Sequence, residues 1–269
     1  MSITIHPTAI VAEGATIGDG CMIGPYCVIG ASVTLGKDNF LHSHVVLDGR
    51  TRIGDGNEIY PFACLGMRTQ DLKYKPEWVV YTEIGDGNIF REYTTVNAAT
   101  IEGATTKVGN HGRFLSYSHI AHDCIIGDHV IISSDSKLAG HVEIQDHAIM
   151  NAKSGAIQFV RIGKYAFIGA NNKVVKDILP FCIADGYPYS TIRAVNKIGL
   201  NRNGFEPERV AAIQKGFRTL IRSGLVLKEA LAQLEAEFPN QPDVMEMVKF
   251  ASESQLGLAR PQSRSELPE

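Results

Sequence analysis

From Ile5 to Leu65 every sixth residue is aliphatic: Ile5, Val11, Ile17, Ile23, Ile29, Leu35, Leu41, Leu47, Ile53, Ile59 and Leu65. A second run opens at Ile84, passes through Phe90 and Val96, and continues from Val108 to Val174, interrupted by Glu102 and Ala156. A period of six fits neither the 3.6-residue turn of an α-helix nor the two-residue alternation of a strand. It describes a chain that runs straight briefly, turns a corner and repeats, so that three faces close a triangular coil of about 18 residues. The anchors point inward. Small residues two positions earlier (Ala9, Ala15, Cys21, Cys27) and glycines directly after (Gly18, Gly24, Gly30, Gly36) are expected to permit the corners. Eleven hexads in the first run and sixteen in the second predict nine coils. At one strand spacing per coil the solenoid is roughly 40 Å long.

The two runs are out of register, because Leu65 and Ile84 are 19 residues apart. The stretch 66–83, "GMRTQDLKYKPEWVVYTE", must therefore leave the coil as a projecting loop, and it carries the chain's single tryptophan, Trp78. A β-helix domain is expected over residues 1–190 and a helical domain over 191–269. In the latter, Val210, Ile213, Phe217, Leu220 and Ile221 recur at helical spacing up to Gly224. Leu227 to Phe238 predict a second helix, Val244 to Ala251 a third, and 258–269 a frayed tail. A net charge of −3 argues against nucleic acid as a partner. Five cysteines without a CxxC pair argue against a disulfide framework. The opening "MSITIHPTAI" lacks the pattern of a signal peptide, and no run of 18 apolar residues predicts a membrane span, so the expectation is a cytoplasmic, soluble protein.

With 18 residues per coil, residues n and n+18 stack. His122 then lies over Gly140 and Gln158, Asp123 over His141 and Phe159, and His119 over Lys137. His122 and His141, with an acid, an amide and a glycine backbone, thus share one patch. A neutral imidazole can accept a proton from a hydroxyl, a carboxylate can hold its tautomer, and a glycine N–H can face a developing oxyanion. These are the parts of acyl transfer to an alcohol, and they need no metal; taken singly, each histidine reads as a polar surface residue. His111, His129 and His147 also fall 18 apart. Stacking on a surface or interface is the default for that ladder, with zinc between subunits as the alternative that ranks last.

Several segments occur in the order of a known family: "HPTAIV" (6–11), "IGPYCVIG" (23–30), "SHVVLDG" (43–49), "NEIYPFACLG" (57–66), "QDLKY" (70–74), "SHIAHDC" (118–124) and "LAGHV" (138–142). They resemble the UDP-N-acetylglucosamine acyltransferase of lipid A biosynthesis. The resemblance implies a left-handed parallel β-helix with a C-terminal α-helical domain, assembled as a homotrimer with active sites between subunits. It implies transfer of a 3-hydroxyacyl chain from acyl carrier protein to the sugar 3-hydroxyl, with no cofactor beyond that donor. Carried over, His122 is the general base, Asp123 its partner and Gly140 the oxyanion donor. Asp71, Lys73, His119, His141, Gln158 and Arg202 contact substrate, Ala170 gauges acyl length, and Lys215, Arg218 and Arg222 face the acidic carrier. The chain departs from the family where "VNAAT" (96–100) replaces an "IHRGT"-like segment, Ile157 a histidine, and Asn203 an arginine beside Arg202; "SDSK" (134–137) and "GAN" (169–171) differ as well. Such changes fit a different acceptor, including an amino sugar that is N-acylated, or a non-catalytic β-helical binding protein.

Overall fold

A computed structural model describes residues 2–261. Three parallel sheets form the sides of a prism, built from short strands such as Val28–Ile29 and Lys137–Leu138. From Met22–Ile23 onward the anchor is buried, Ile29, Leu47, Ile120 and Leu138 being essentially inaccessible, while Ile5 in the first strand is exposed and Val11 and Ile17 are half-buried. The registers Met22 with Phe40 and Ile131 with Ile149 fix the 18-residue coil. One sheet runs from Thr4–Ile5 to Phe167–Ile168, the second from Ile10–Val11 to Lys173–Val174, the third from Thr16–Ile17 to Arg161–Ile162.

The corners differ from expectation. At corner after corner the second residue adopts a left-handed conformation without being glycine: Tyr26, His44, Phe62, Asp123 and His141 have φ of 58–65°. At the aromatic corners the strain of roughly 1–2 kcal/mol per residue is met by stacking along the corner columns. His111, His129, His147 and Tyr165 are such a column, with ring centroids 5.1, 4.6 and 4.6 Å apart. These three histidines are therefore corner-turn residues. The glycine after an anchor serves close approach instead, since a Cβ on Gly24 would lie 2.7 Å from the His42 carbonyl oxygen of the next coil.

Two insertions interrupt the coil. Thr51 pairs with Thr82, so the expected loop carries thirteen residues beyond a normal coil. Thr82 pairs with Thr106, which reveals a second, six-residue insertion that the period had hidden. Glu102 is thus no broken anchor but part of this second loop. The count of rungs is corrected accordingly to twenty-six strands in the three prism faces. Glu102 accepts a hydrogen bond of 2.7 Å from the Val79 amide, and Gly103 donates to the Val79 carbonyl at 2.8 Å. Val80, Ala98 and Ala99 form a small apolar cluster against Tyr74 and Trp78. The two loops are one wall.

Beyond the prism the strands Cys182–Asp185 and Thr191–Val195 form an antiparallel hairpin that extends the first sheet. Among the described residues four helices follow: α1 (Lys197–Arg202), α2 (Pro207–Phe217), α3 (Leu227–Glu237) and α4 (Pro242–Ser252). The last three match the periodicity, α2 continuing as a π-turn over Arg218–Arg222. The hairpin and α1 had no periodic signal. The start of the expected frayed tail is instead docked: Leu258 and Ala259 are buried, and the Ala259 amide donates to the Asp177 carbonyl at 2.9 Å. The rest of that tail, 262–269, lies outside the described residues. Among the described residues no helix is long and apolar enough to cross a membrane.

Candidate active site

His122 is the first residue of a corner and Asp123 the second, with φ +58°. That conformation turns the Asp123 carboxylate back alongside its neighbour's ring, and the Asp123 amide is held by the Thr106 hydroxyl at 2.7 Å. His122 Nδ1 is 2.8 Å from Asp123 Oδ2, and both side chains are only 8% exposed. The ring's other nitrogen, Nε2, lies 3.5 Å from Asp71 Oδ2, which comes from the first inserted loop. With an ionised carboxylate at Nδ1, the proton sits on Nδ1 and Nε2 keeps its lone pair.

Nε2 borders a cavity of about 640 Å³ lined by Asp71, His119, Gly140, Ile157 and Gln158 among others. Gly140 is required to be glycine: a Cβ there would collide with the His122 ring. Its N–H has no backbone or side-chain acceptor among the described residues, so it is available to a ligand oxygen. His119 accepts or donates at Nδ1 with the Thr95 hydroxyl, 2.7 Å away. Burial pushes its basicity below the ordinary histidine value, and the positive charge of Lys137 in the next rung adds to this. Cys124, beside the dyad, is fully buried; burial pushes its thiol up to about 12, so it is no thiolate nucleophile.

The structure therefore brings together His122, Asp123, Gly140, Asp71, His119 and Gln158. His141 flanks the group from an adjoining depression, edge-on to His122 at 5.2 Å and stacked on Phe159 at 4.8 Å. Lys73 shares the loop with Asp71, whose carboxylate its amide contacts at 2.7 Å, but it does not line the cavity. Arg202 at the end of α1 and Ala170 are exposed and also outside the cavity of one chain. Asn203 borders a different cavity, with Lys164 and Arg209. On the helices Lys215 pairs with Glu237, Arg222 donates to the Arg193 carbonyl at 3.0 Å, and Arg218 is exposed. His122, Asp123 and His141 offer donor atoms within 4.8 Å of one another, near enough to share a cation. Yet the Asp123 carboxylate already accepts from the Thr100 hydroxyl, the Thr100 amide and His122. Thr100 escaped the sequence reading because it sits on the hidden second loop; the polar Glu102 in an anchor slot was the one hint of it.

A hexapeptide prism that presents a buried acid–histidine pair and a free glycine amide to one cavity defines the class of this protein as a hexapeptide-repeat acyltransferase. Residues 177–259 match the family model described as UDP-N-acetylglucosamine O-acyltransferase, domain 2, and residues 3–31 match the bacterial transferase hexapeptide model. The Francisella novicida UDP-N-acetylglucosamine acyltransferase is 36% identical, with 98% of this chain and 96% of that chain covered and a TM-score of 0.94. LpxA from Acinetobacter baumannii is 39% identical over 95% of this chain and 99% of that chain, with a TM-score of 0.92. The Arabidopsis UDP-N-acetylglucosamine acyltransferase is 31% identical over 95% and 99%, with a TM-score of 0.84. The chain belongs to the UDP-N-acetylglucosamine O-acyltransferase family, and its coil is the left-handed parallel β-helix of that family.

Proposed function

We propose that the protein moves a 3-hydroxyacyl group from acyl carrier protein to the 3-hydroxyl of UDP-N-acetylglucosamine, the first step of lipid A biosynthesis, as a cytoplasmic homotrimer without a further cofactor. The observation that carries this reading is His122 held between the Asp123 carboxylate and the cavity, with the Gly140 amide beside it. His122 Nε2 takes the proton of the sugar hydroxyl as its oxygen attacks the thioester carbonyl. Asp123 stabilises the imidazolium that results. The negative charge that develops on the carbonyl oxygen is met by the Gly140 N–H. As the intermediate collapses the carbon–sulfur bond breaks, and the thiolate takes the proton back from His122.

Asp71, Lys73, Gln158, His119, His141 and Arg202 serve the nucleotide sugar in this reading, Ala170 the acyl chain, and Lys215, Arg218 and Arg222 the acidic carrier. A second reading rests on Ile157, which forms part of the cavity wall where the family resemblance calls for histidine. An apolar wall there favours an acceptor other than UDP-N-acetylglucosamine, including an amino sugar. Incubation with 3-hydroxyacyl carrier protein and UDP-N-acetylglucosamine, followed by mass spectrometry, separates the two. The first reading expects acylated sugar nucleotide, lost by a factor of about 10²–10⁴ in His122→Ala. Activity of that variant within tenfold of wild type would remove His122 as the base. No product from folded wild-type protein, with product from a 3-amino sugar nucleotide, would establish the second reading.

A further inference from the structure

We propose that Thr100 is a positioning residue that fixes the tautomer of His122 by holding the Asp123 carboxylate against it; this rests on His122 being the base. Asp123 Oδ2 is 2.8 Å from His122 Nδ1 and 3.7 Å from His141 Nε2. At 3.7 Å His141 makes no hydrogen bond to that oxygen, but a turn of the carboxylate would offer it to either ring. Thr100 prevents that turn. Its hydroxyl donates to Oδ2 at 2.5 Å and its amide to the same oxygen at 3.1 Å, reaching Oδ1 at 3.4 Å. Thr100 is 5% exposed, so water does not replace these bonds at little cost.

The hydrogen arithmetic is closed. An ionised carboxylate only accepts, so the hydroxyl hydrogen of Thr100 is committed to Asp123. The hydroxyl oxygen then presents lone pairs toward His122 Nδ1, 3.4 Å away. Both polar neighbours of Nδ1 are acceptors, and Nδ1 must carry the ring's hydrogen. Nε2, on the cavity side, is left as the lone-pair nitrogen. Asp71 at Nε2 would favour the opposite tautomer, which is why the Asp123 side needs this second support. Thr100 is held in turn by the loop wall: Glu102 and Gly103 bond to Val79, and Ala98 and Ala99 pack on Val80.

Thr100→Val keeps the side-chain shape and removes the hydroxyl. Expected is a fall in kcat of about tenfold to a hundredfold with KM changed less than about threefold, because geometry and not binding is lost. Nitrogen-15 NMR of the imidazoles, read on the resting protein at pH 8, should show His122 as the Nδ1–H form in the wild type. The Val variant should show an added Nε2–H population, and Thr100→Ser should restore both tautomer and kcat. Thr100→Ala provides a second hydroxyl-free variant should the Val variant not fold. Unchanged tautomer in the hydroxyl-free variants would overturn the proposal, whether or not turnover falls, as would failure of the Ser variant to restore it. The NMR readout does not depend on turnover, so active His122→Ala would reject the base while this measurement still judged Thr100.

Discussion

His119 shows what one rung of a solenoid does to a side chain. It sits directly against Lys137 in the neighbouring strand and is partly withdrawn from water. Both influences oppose a second positive charge, burial more than the lysine. The folded protein therefore binds a proton here less readily than the unfolded chain. Through this group stability falls as pH drops through about 6.5, the unfolded value, and is unaffected above it. An NMR titration should find His119 titrating below 6.5. Lys137→Met should raise that midpoint while leaving it below 6.5, since burial remains; a midpoint at or above 6.5 in the wild type would contradict the account.

The two inserted loops illustrate how an element can be extra to the fold and yet make the site. Leu65 and Ile84 are anchors separated by the first loop, and removal of residues 68–80 restores the six-residue spacing between them. A chain so shortened should keep its β-rich circular dichroism spectrum and lose several degrees in Tm, because the Val80 cluster and the partners of Glu102 and Gly103 go with it. Turnover should fall at least about a hundredfold with Asp71 gone and the cavity wall opened. An unfolded product would mean that the loop is needed by the coil itself. The second loop was hidden from the period because its insertion is six residues long, one full hexad, so the anchors on either side stay in phase. The first was legible because thirteen residues shift the phase.

Assembly belongs to the scale of the whole molecule. The cavity of one chain holds His122, Gly140, Asp71 and Gln158, yet Arg202 and Ala170 stand outside it. A trimer with sites between subunits would let a neighbouring copy supply what one chain lacks. Light scattering on the purified protein should give three times the 29.3 kDa of the chain. A monomer at micromolar concentration would leave Arg202 without a route to the cavity and would sink its proposed role.

The six-residue period by itself determined the coil, the buried face of each rung, the first loop and the stacking of His122 on Gly140, because ladder hydrogen bonding carries a sequence repeat directly into three dimensions. The helices α2, α3 and α4 were equally open to view through their apolar spacing, whereas α1 was not. Tertiary structure alone decided the rest. The left-handed corners at bulky residues are tolerated where stacked neighbours support them. The docked tail at Leu258 depends on Asp177, far back along the chain. Thr100 reaches Asp123 across 23 residues through a loop with no period of its own, and only the closed geometry of the coil brings the two together.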